Sequence, residues 1–306
     1  KINSTPLIIT EVIMANIGGS ATMVGDPPNV ILGLKLGYYF NDFVINNAPI
    51  SIIAGAVTLL YCYLVCRKSI APSGHIPKGE YEAMDPAEAI ENKRQLKIAL
   101  AALITAILFL ITHSFIEEYF HIPLTVPLAA MIPAFIMLII LGKRSEEILL
   151  KVDYGVLLFF MGLFVVVGGL EHTGVINTIA GSITDIFRGN HMGFLSTLVW
   201  GSGIASGIVD NVPFSLSMAY ILENIVKFAG VPALAIMVWA TSLGADIGGN
   251  FSPIGASANV VAYTTMEKRG QSIGWKRWLK LSVPATLIAL TITNIGIFIK
   301  YITGFF

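Results

Sequence analysis

Three aspartates set among glycine, asparagine and serine, inside otherwise apolar sequence, are the residues with which this chain could do chemistry. Asp26 lies in GDPPN, Asp210 in VDNVP and Asp246 in GADIGGN. An ionisable side chain in sequence apolar enough to enter a bilayer is costly there, and such residues mark ion pathways and proton relays. Asp210 beside Asn211, together with Asp26 and with Glu11 in the apolar stretch upstream, are the candidate proton carriers. Capping of a following helix accounts for Asp26 and Asp210 as well. Glu11 reads equally as a proton carrier or an interface residue.

Two of the aspartates belong to one motif used twice. Residues 15–30, ANIGGSATMVGDPPNV, and 245–260, ADIGGNFSPIGASANV, align without a gap at an offset of 230. The pairs Ala15/Ala245, Ile17/Ile247, Gly18/Gly248, Gly19/Gly249, Gly25/Gly255, Asn29/Asn259 and Val30/Val260 are identical, with the identities clustered on glycine and asparagine. Gly18-Gly19 and Gly248-Gly249 predict a strained turn that breaks each helix. The carbonyls freed there, with the oxygens of Asn16, Ser20, Thr22, Asp246, Asn250 and Ser252, are hard ligands suited to Na⁺, the best cluster being Asn16, Ser20, Asp246 and Asn250. Half-helices starting near Pro28 and Asn259 aim their positive ends at the same depth and favour a small anion, and Asp26, Asn29, Asn211, Ser257 and Asn259 complete the candidate substrate- and ion-binding residues. One such break reads equally as a mere kink; two matching breaks argue for a site. No other cofactor is expected.

The elements that must position these residues are membrane helices. Of 306 residues, 55% are hydrophobic and 12% charged, with a mean hydropathy of +0.76 and no net charge. Long apolar runs make this an all-α polytopic membrane protein, and the charge balance points to no nucleic-acid partner. Cys62 and Cys66 sit one helical turn apart in an apolar run and imply no disulfide framework.

In order, a broken helix crosses the first motif and a span follows over 44–66. A hydrophilic loop at 67–95 carries a capping box, Asp85 to Glu88, opening a short surface helix to Lys97. Spans follow at 96–115, 125–142 and 154–170, then a surface segment to Asn190 that leaves Glu171-His172 at an outer edge. Residues 192–230 form a re-entrant hairpin with its tip at Asp210-Asn211, where small residues let the arms pack closely. A second broken helix at 231–268 leads to an interfacial stretch, 275–280, and a last span at 283–301. Glu223 and Lys227 are spaced for a helical ion pair.

Lys and Arg concentrate in 67–97, 143–151 and 267–280, which the positive-inside rule puts in the cytoplasm. The two motifs are then crossed in opposite directions, an inverted repeat with discontinuous helices. Residues 1–66 would be the later part of repeat one and 96–306 the whole of repeat two. Matching the repeats leads to the expectation that roughly 130 further residues, including a second hairpin, precede Lys1. By that reading, the 306 residues alone should not transport.

NIGGSATMVGDPPN, DNVP and GGNFSPIGASANVV resemble the ion transporter superfamily of arsenical-pump permeases, NhaD-type Na⁺/H⁺ antiporters, the P protein, and citrate and dicarboxylate symporters. The resemblance covers the chain from Lys1 and is strongest for the P-protein and NhaD-like branches. It implies an elevator-type secondary transporter in the cell membrane, usually a homodimer, with substrate between hairpin tips and unwound helices. The dicarboxylate branch carries Ser-Asn-Thr at the hairpin tip where this chain has Val209-Asp210-Asn211-Val212, which favours an acid that handles protons or cations. An arsenite-like or other oxyanion or carboxylate coupled to H⁺ or Na⁺ is the leading expectation, and Na⁺/H⁺ exchange the alternative. An intramembrane aspartyl enzyme is a remote alternative, since no GxGD motif, HExxH motif or Ser/His pair is present. A channel fits inverted broken helices less well, and no nucleotide-binding loop appears.

Overall fold

The structure, a computed structural model, describes residues 4–70, 90, 92–121, 124–150, 152, 154–187, 189–228, 234–268, 270 and 273–306. All regular structure among them is helical. The elements begin with α1 (Ser4–Gly19), α2 (Pro27–Leu36), α3 (Phe40–Asn46) and α4 (Ala48–Ile70). After the loop come α5 (Lys93–Phe120), α6 (Val126–Leu141), α7 (Ser145–Leu149), α8 (Tyr154–His172) and α9 (Val175–Ile186). The chain ends with α10 (His191–Ile208), α11 (Asn211–Phe228), α12 (Leu234–Gly248), α13 (Ser257–Lys268) and α14 (Trp275–Thr303). Among the described residues, four helical stretches are long and apolar enough to cross a membrane: Ala48–Ile70, Lys93–His113, Val126–Leu149 and Trp275–Thr303. With the apolar faces they expose, such as Ile52, Leu60 and Ile139, they define an all-α polytopic membrane protein.

Residues 72–160 form one compact unit, in which α5 and α6 pack on each other. The expected capping box at 85–88 lies outside the described residues. Asn92 caps the helix that follows, its side chain accepting the Arg94 and Gln95 N–H groups at 3.0 and 3.1 Å. That helix runs unbroken to Phe120, past the predicted end at 115.

Residues 2–71 with 161–306 form the other unit, which holds both motifs. Its centre is α12, buried along every residue from Ile236 to Gly248. Close helix packing explains its glycines. A Cβ on Gly244 would lie 2.6 Å from the Val199 carbonyl, and one on Gly248 would collide with the Gly203 backbone of α10. Membrane helices approach this closely only where side chains are small. The hairpin is present as α10 and α11, separated by Val209 and Asp210.

The expected span over 44–66 is two elements, because Asn47 interrupts the run and Pro49 starts a new helix; the span is Ala48–Ile70. The segment after α8 is more than a surface strip. It forms the amphipathic α9, which buries Ile176 and Ala180 and packs on α11. The predicted interfacial stretch is the first turn of α14, and Trp278 is fully buried there instead of lying at an interface. Glu171 and His172 are exposed as expected. Glu223 lies 3.1 Å from Lys35, whose ammonium also sits 4.0 Å above the Tyr220 ring, so α11 is clasped to α2.

Candidate functional site

Each motif ends one helix, makes a short loop and starts another: α1 to α2 through 20–26, and α12 to α13 through a 3-10 turn and 252–256. The breaks do not rest on strained glycine. Gly18, Gly19, Gly248 and Gly249 are absent from the positive-φ residues, so the expected strained turn is replaced by another reason for glycine. In each loop the backbone crosses itself: a Cβ on Gly25 would collide with Gly19, and one on Gly255 with Gly249. Only hydrogen fits at that crossing.

An asparagine then staples each loop. The Asn29 amide donates to the Gly19 and Thr22 carbonyls at 3.3 and 3.1 Å, and that of Asn259 to the Gly249 and Ser252 carbonyls at 2.8 and 2.7 Å. The same two bonds recur at the same offset of 230. Backbone carbonyls freed by the breaks are thereby satisfied inside the protein, as a low-dielectric interior requires.

The two loops also meet. Asn16, buried at the end of α1, donates at 2.8 Å to both Asn250 Oδ1 and Asn259 Oδ1 in the second motif. Its amide thus fills the position that a cation would take between those oxygens. Asn250 itself donates to the Ile13 carbonyl at 3.4 Å. Ser20 bonds the Ile17 carbonyl and the Ser51 hydroxyl, both at 2.7 Å.

The residue matching Asn16 in the second motif is Asp246, and it has no such partners. Its carboxyl is fully buried, and neither oxygen has a hydrogen-bond partner. Asp26 repels its charge, and the Asn29 side chain is the hydrogen-bonding group that faces it without reaching bonding geometry. Asn29 Oδ1 is already taken by the Ser242 hydroxyl at 2.5 Å.

The hairpin tip completes the cluster. Ser206 donates to the Ala245 carbonyl at 2.6 Å, and Asn211 donates to Asp26 Oδ2 at 3.1 Å, which ties the hairpin to both motifs. Asp26 occupies the N-cap position of α2 yet makes no cap hydrogen bond, so its carboxylate serves the hairpin instead. Asp210 is half-buried and accepts the Val212 N–H at 2.9 Å, the local role that capping predicts.

A cleft of about 620 Å³ opens beside this cluster, lined by Glu11, Asn16, Gly25, Asp26, Ser257 and Thr265 among others. The first turns of α2 and α13 both face it, through Pro27 and Ser257. Among the described residues, two acidic side chains line it and no basic one does. Gly18 is exposed and a Cβ there would meet nothing. Thr22 and Ser252 contribute carbonyls to the staples, not hydroxyl contacts to the cluster.

A sequence model of the citrate transporter family matches residues 1–244. The chain belongs to this family. An uncharacterized transporter of Mycobacterium tuberculosis is 32% identical over 302 residues, covering 98% of this chain and 68% of the relative. A 46 kDa membrane protein of Mycobacterium leprae is also 32% identical, over 307 residues, with 98% and 69% covered. The mouse P protein is 26% identical over 368 residues, covering 97% of this chain and 44% of its own length. The chain is therefore a transporter-family protein of the ion transporter superfamily, as its motifs indicate.

Within this citrate transporter family member, sequence reasoning missed the supports of the cluster. Asn47 donates to the Ser20 carbonyl at 3.2 Å and to the Ser242 hydroxyl at 2.9 Å. Trp278 Nε1 donates to the Asn250 carbonyl at 3.4 Å. Trp239 receives Tyr38 and Phe43 edge-on at 4.9 and 5.1 Å. The available signal was polar residues inside apolar helix sequence, which is expensive unless each is partnered within the protein.

Proposed function

We propose that this protein is a secondary active transporter that moves a small anion, an oxyanion such as arsenite or a carboxylate, coupled to H⁺ or Na⁺. The observation that carries the coupling is Asp246. Where the first motif brings an amide that donates two hydrogen bonds, the second brings a buried carboxyl that no donor among the described residues reaches in bonding geometry. A buried carboxylate without a counter-charge costs several kcal/mol. A proton or Na⁺ bound there supplies the missing donor or charge, so occupancy of the site by the coupling ion stabilises this packing. The anion would lie in the cleft at the starts of α2 and α13, where the positive ends of the helix dipoles favour negative charge; α2 acts there through its dipole alone, since Pro27 and Pro28 carry no N–H. The repeat would act as two inverted halves in a homodimer of the cell membrane, with the loop at 67–95 cytoplasmic.

Na⁺/H⁺ exchange is the second reading. Glu11 and Asp26 make the cleft acidic, with no basic residue in its lining, and that favours a cation as the cargo itself. Flux in proteoliposomes of the full natural chain tests both. Uptake of arsenite or a carboxylate that rises with an imposed proton or Na⁺ gradient supports the first reading. Na⁺-driven proton movement without any anion supports the second. Gradient-independent leak of all of them would sink both.

A further inference from the structure

A second cavity lies apart from the motifs, where the first turn of α1, the last turns of α4 and the first turns of α14 come together. It measures about 470 Å³ and is lined by Arg277, Lys280, Ser69, Tyr61, Val65 and Leu281 among others. Among the described residues, none that lines it is acidic. Neither Arg277 nor Lys280 forms an ion pair or hydrogen bond with a described residue. Both cations are exposed, while Ile9 and Cys66 form a buried, apolar floor. Arg67 and Lys68, in the last turn of α4, add charge at the same end of the packed helices. The outward face continuing along α4 from this point is apolar, with Leu60, Tyr63, Leu64 and Val65 all exposed.

Fixed cations at one end and apolar wall at the other match one kind of molecule. A free anion would use the cations but gains nothing from Val65 and Leu281. A zwitterionic lipid would use the wall but carries no net charge for the pair. An anionic lipid uses both: its phosphate meets the cations and its acyl chains follow the wall. Basic pockets between transmembrane helices bind anionic headgroups on this principle, and long basic side chains at helix ends reach readily to headgroup level. We propose that Arg277 and Lys280 form a specific site for the phosphodiester headgroup of an anionic phospholipid, seated between α1, α4 and α14. Because α1 leads directly into the first motif, an occupied site would steady the helix that carries Asn16.

The test uses purified protein in a neutral detergent, titrated with phosphatidylglycerol, phosphatidylcholine or inorganic phosphate. Native mass spectrometry counts bound lipid and thermal unfolding gives a second readout. Phosphatidylglycerol should be retained and should raise the unfolding midpoint; phosphatidylcholine should do neither. Arg277→Gln with Lys280→Gln should weaken phosphatidylglycerol binding about thirty-fold, and Arg277→Gln alone about five-fold. Lys276→Gln, one residue away but outside the cavity lining, should bind as the parent does. Equal binding by the double variant would overturn the proposal. So would an equal loss in Lys276→Gln, which would indicate diffuse interfacial charge. Stabilisation by inorganic phosphate at the lipid's concentration would mark a free-anion site instead. Should the double variant fold poorly, Val65→Asp supplies the same readout by placing negative charge against the apolar wall, and it should abolish phosphatidylglycerol retention.

Discussion

Asp246 and Asn16 occupy matching positions, differ by a carboxyl for an amide, and have opposite hydrogen-bonding fates. The amide of Asn16 satisfies two acceptors, while the carboxyl of Asp246 has no partner. Asp246→Asn should therefore fold with an unfolding midpoint equal to or above the parent's, since a neutral amide removes the cost of an unpaired buried charge. Gradient-driven flux in the same variant should fall at least tenfold. A variant that keeps full coupling to protons and Na⁺ would exclude Asp246 as the ion site. Asn259 has a structural task to separate from any ligand role. Asn259→Ala strips two carbonyls of their donor and Asn16 of an acceptor. Three lost bonds should lower stability by about 3 kcal/mol, measurable as a lowered unfolding midpoint before any flux is assayed.

At the scale of elements, glycine acts here through closeness of approach. α12 and α10 touch backbone to backbone at Gly248 and Gly203, so a methyl group on Gly248 forces the helices apart. Gly248→Ala should destabilise by about 2 kcal/mol or more, the cost of overpacking a close-packed interface. Gly18→Ala, in the matching position of the first motif, meets open space and should leave the midpoint within about 0.5 kcal/mol of the parent. Equal effects at both positions would mean that the two breaks are supported alike, contrary to their packing. The identity of Gly18 with Gly248 was visible in the sequence, but the different reasons for the two glycines were not. Which glycine faces a neighbouring helix depends on how the hairpin docks.

For the whole molecule, the opposite crossing of the two motifs is the claim that most needs measuring. Single cysteines introduced at Ser73 and Gly270 should react with an impermeant thiol reagent from one side of the membrane, and one at Asn190 from the other. The native Cys62 and Cys66 are buried and should give little background. Labelling of all three from one side would contradict the inverted arrangement.

The sequence alone determined the class of the protein, the duplicated motif and the breaks of the two helices that carry it. These follow from local composition: a long apolar run has few folds open to it in a bilayer, and a polar, glycine-rich interruption cannot continue as lipid-facing helix. The pairing of the hairpin with both motifs, Asn211 with Asp26 and Ser206 with Ala245, was legible only as proximity of candidate residues. Tertiary structure alone decided which polar groups are spent and which are left over. Asp210, one of the candidate proton carriers, accepts the Val212 N–H, whereas no donor reaches Asp246 in bonding geometry. Trp278, expected at an interface, is buried against the second motif. The physical reason is that a hydrogen bond between residues as far apart as Asn211 and Asp26, 185 positions, depends on helix docking, and no local pattern encodes the partner that a buried side chain will meet.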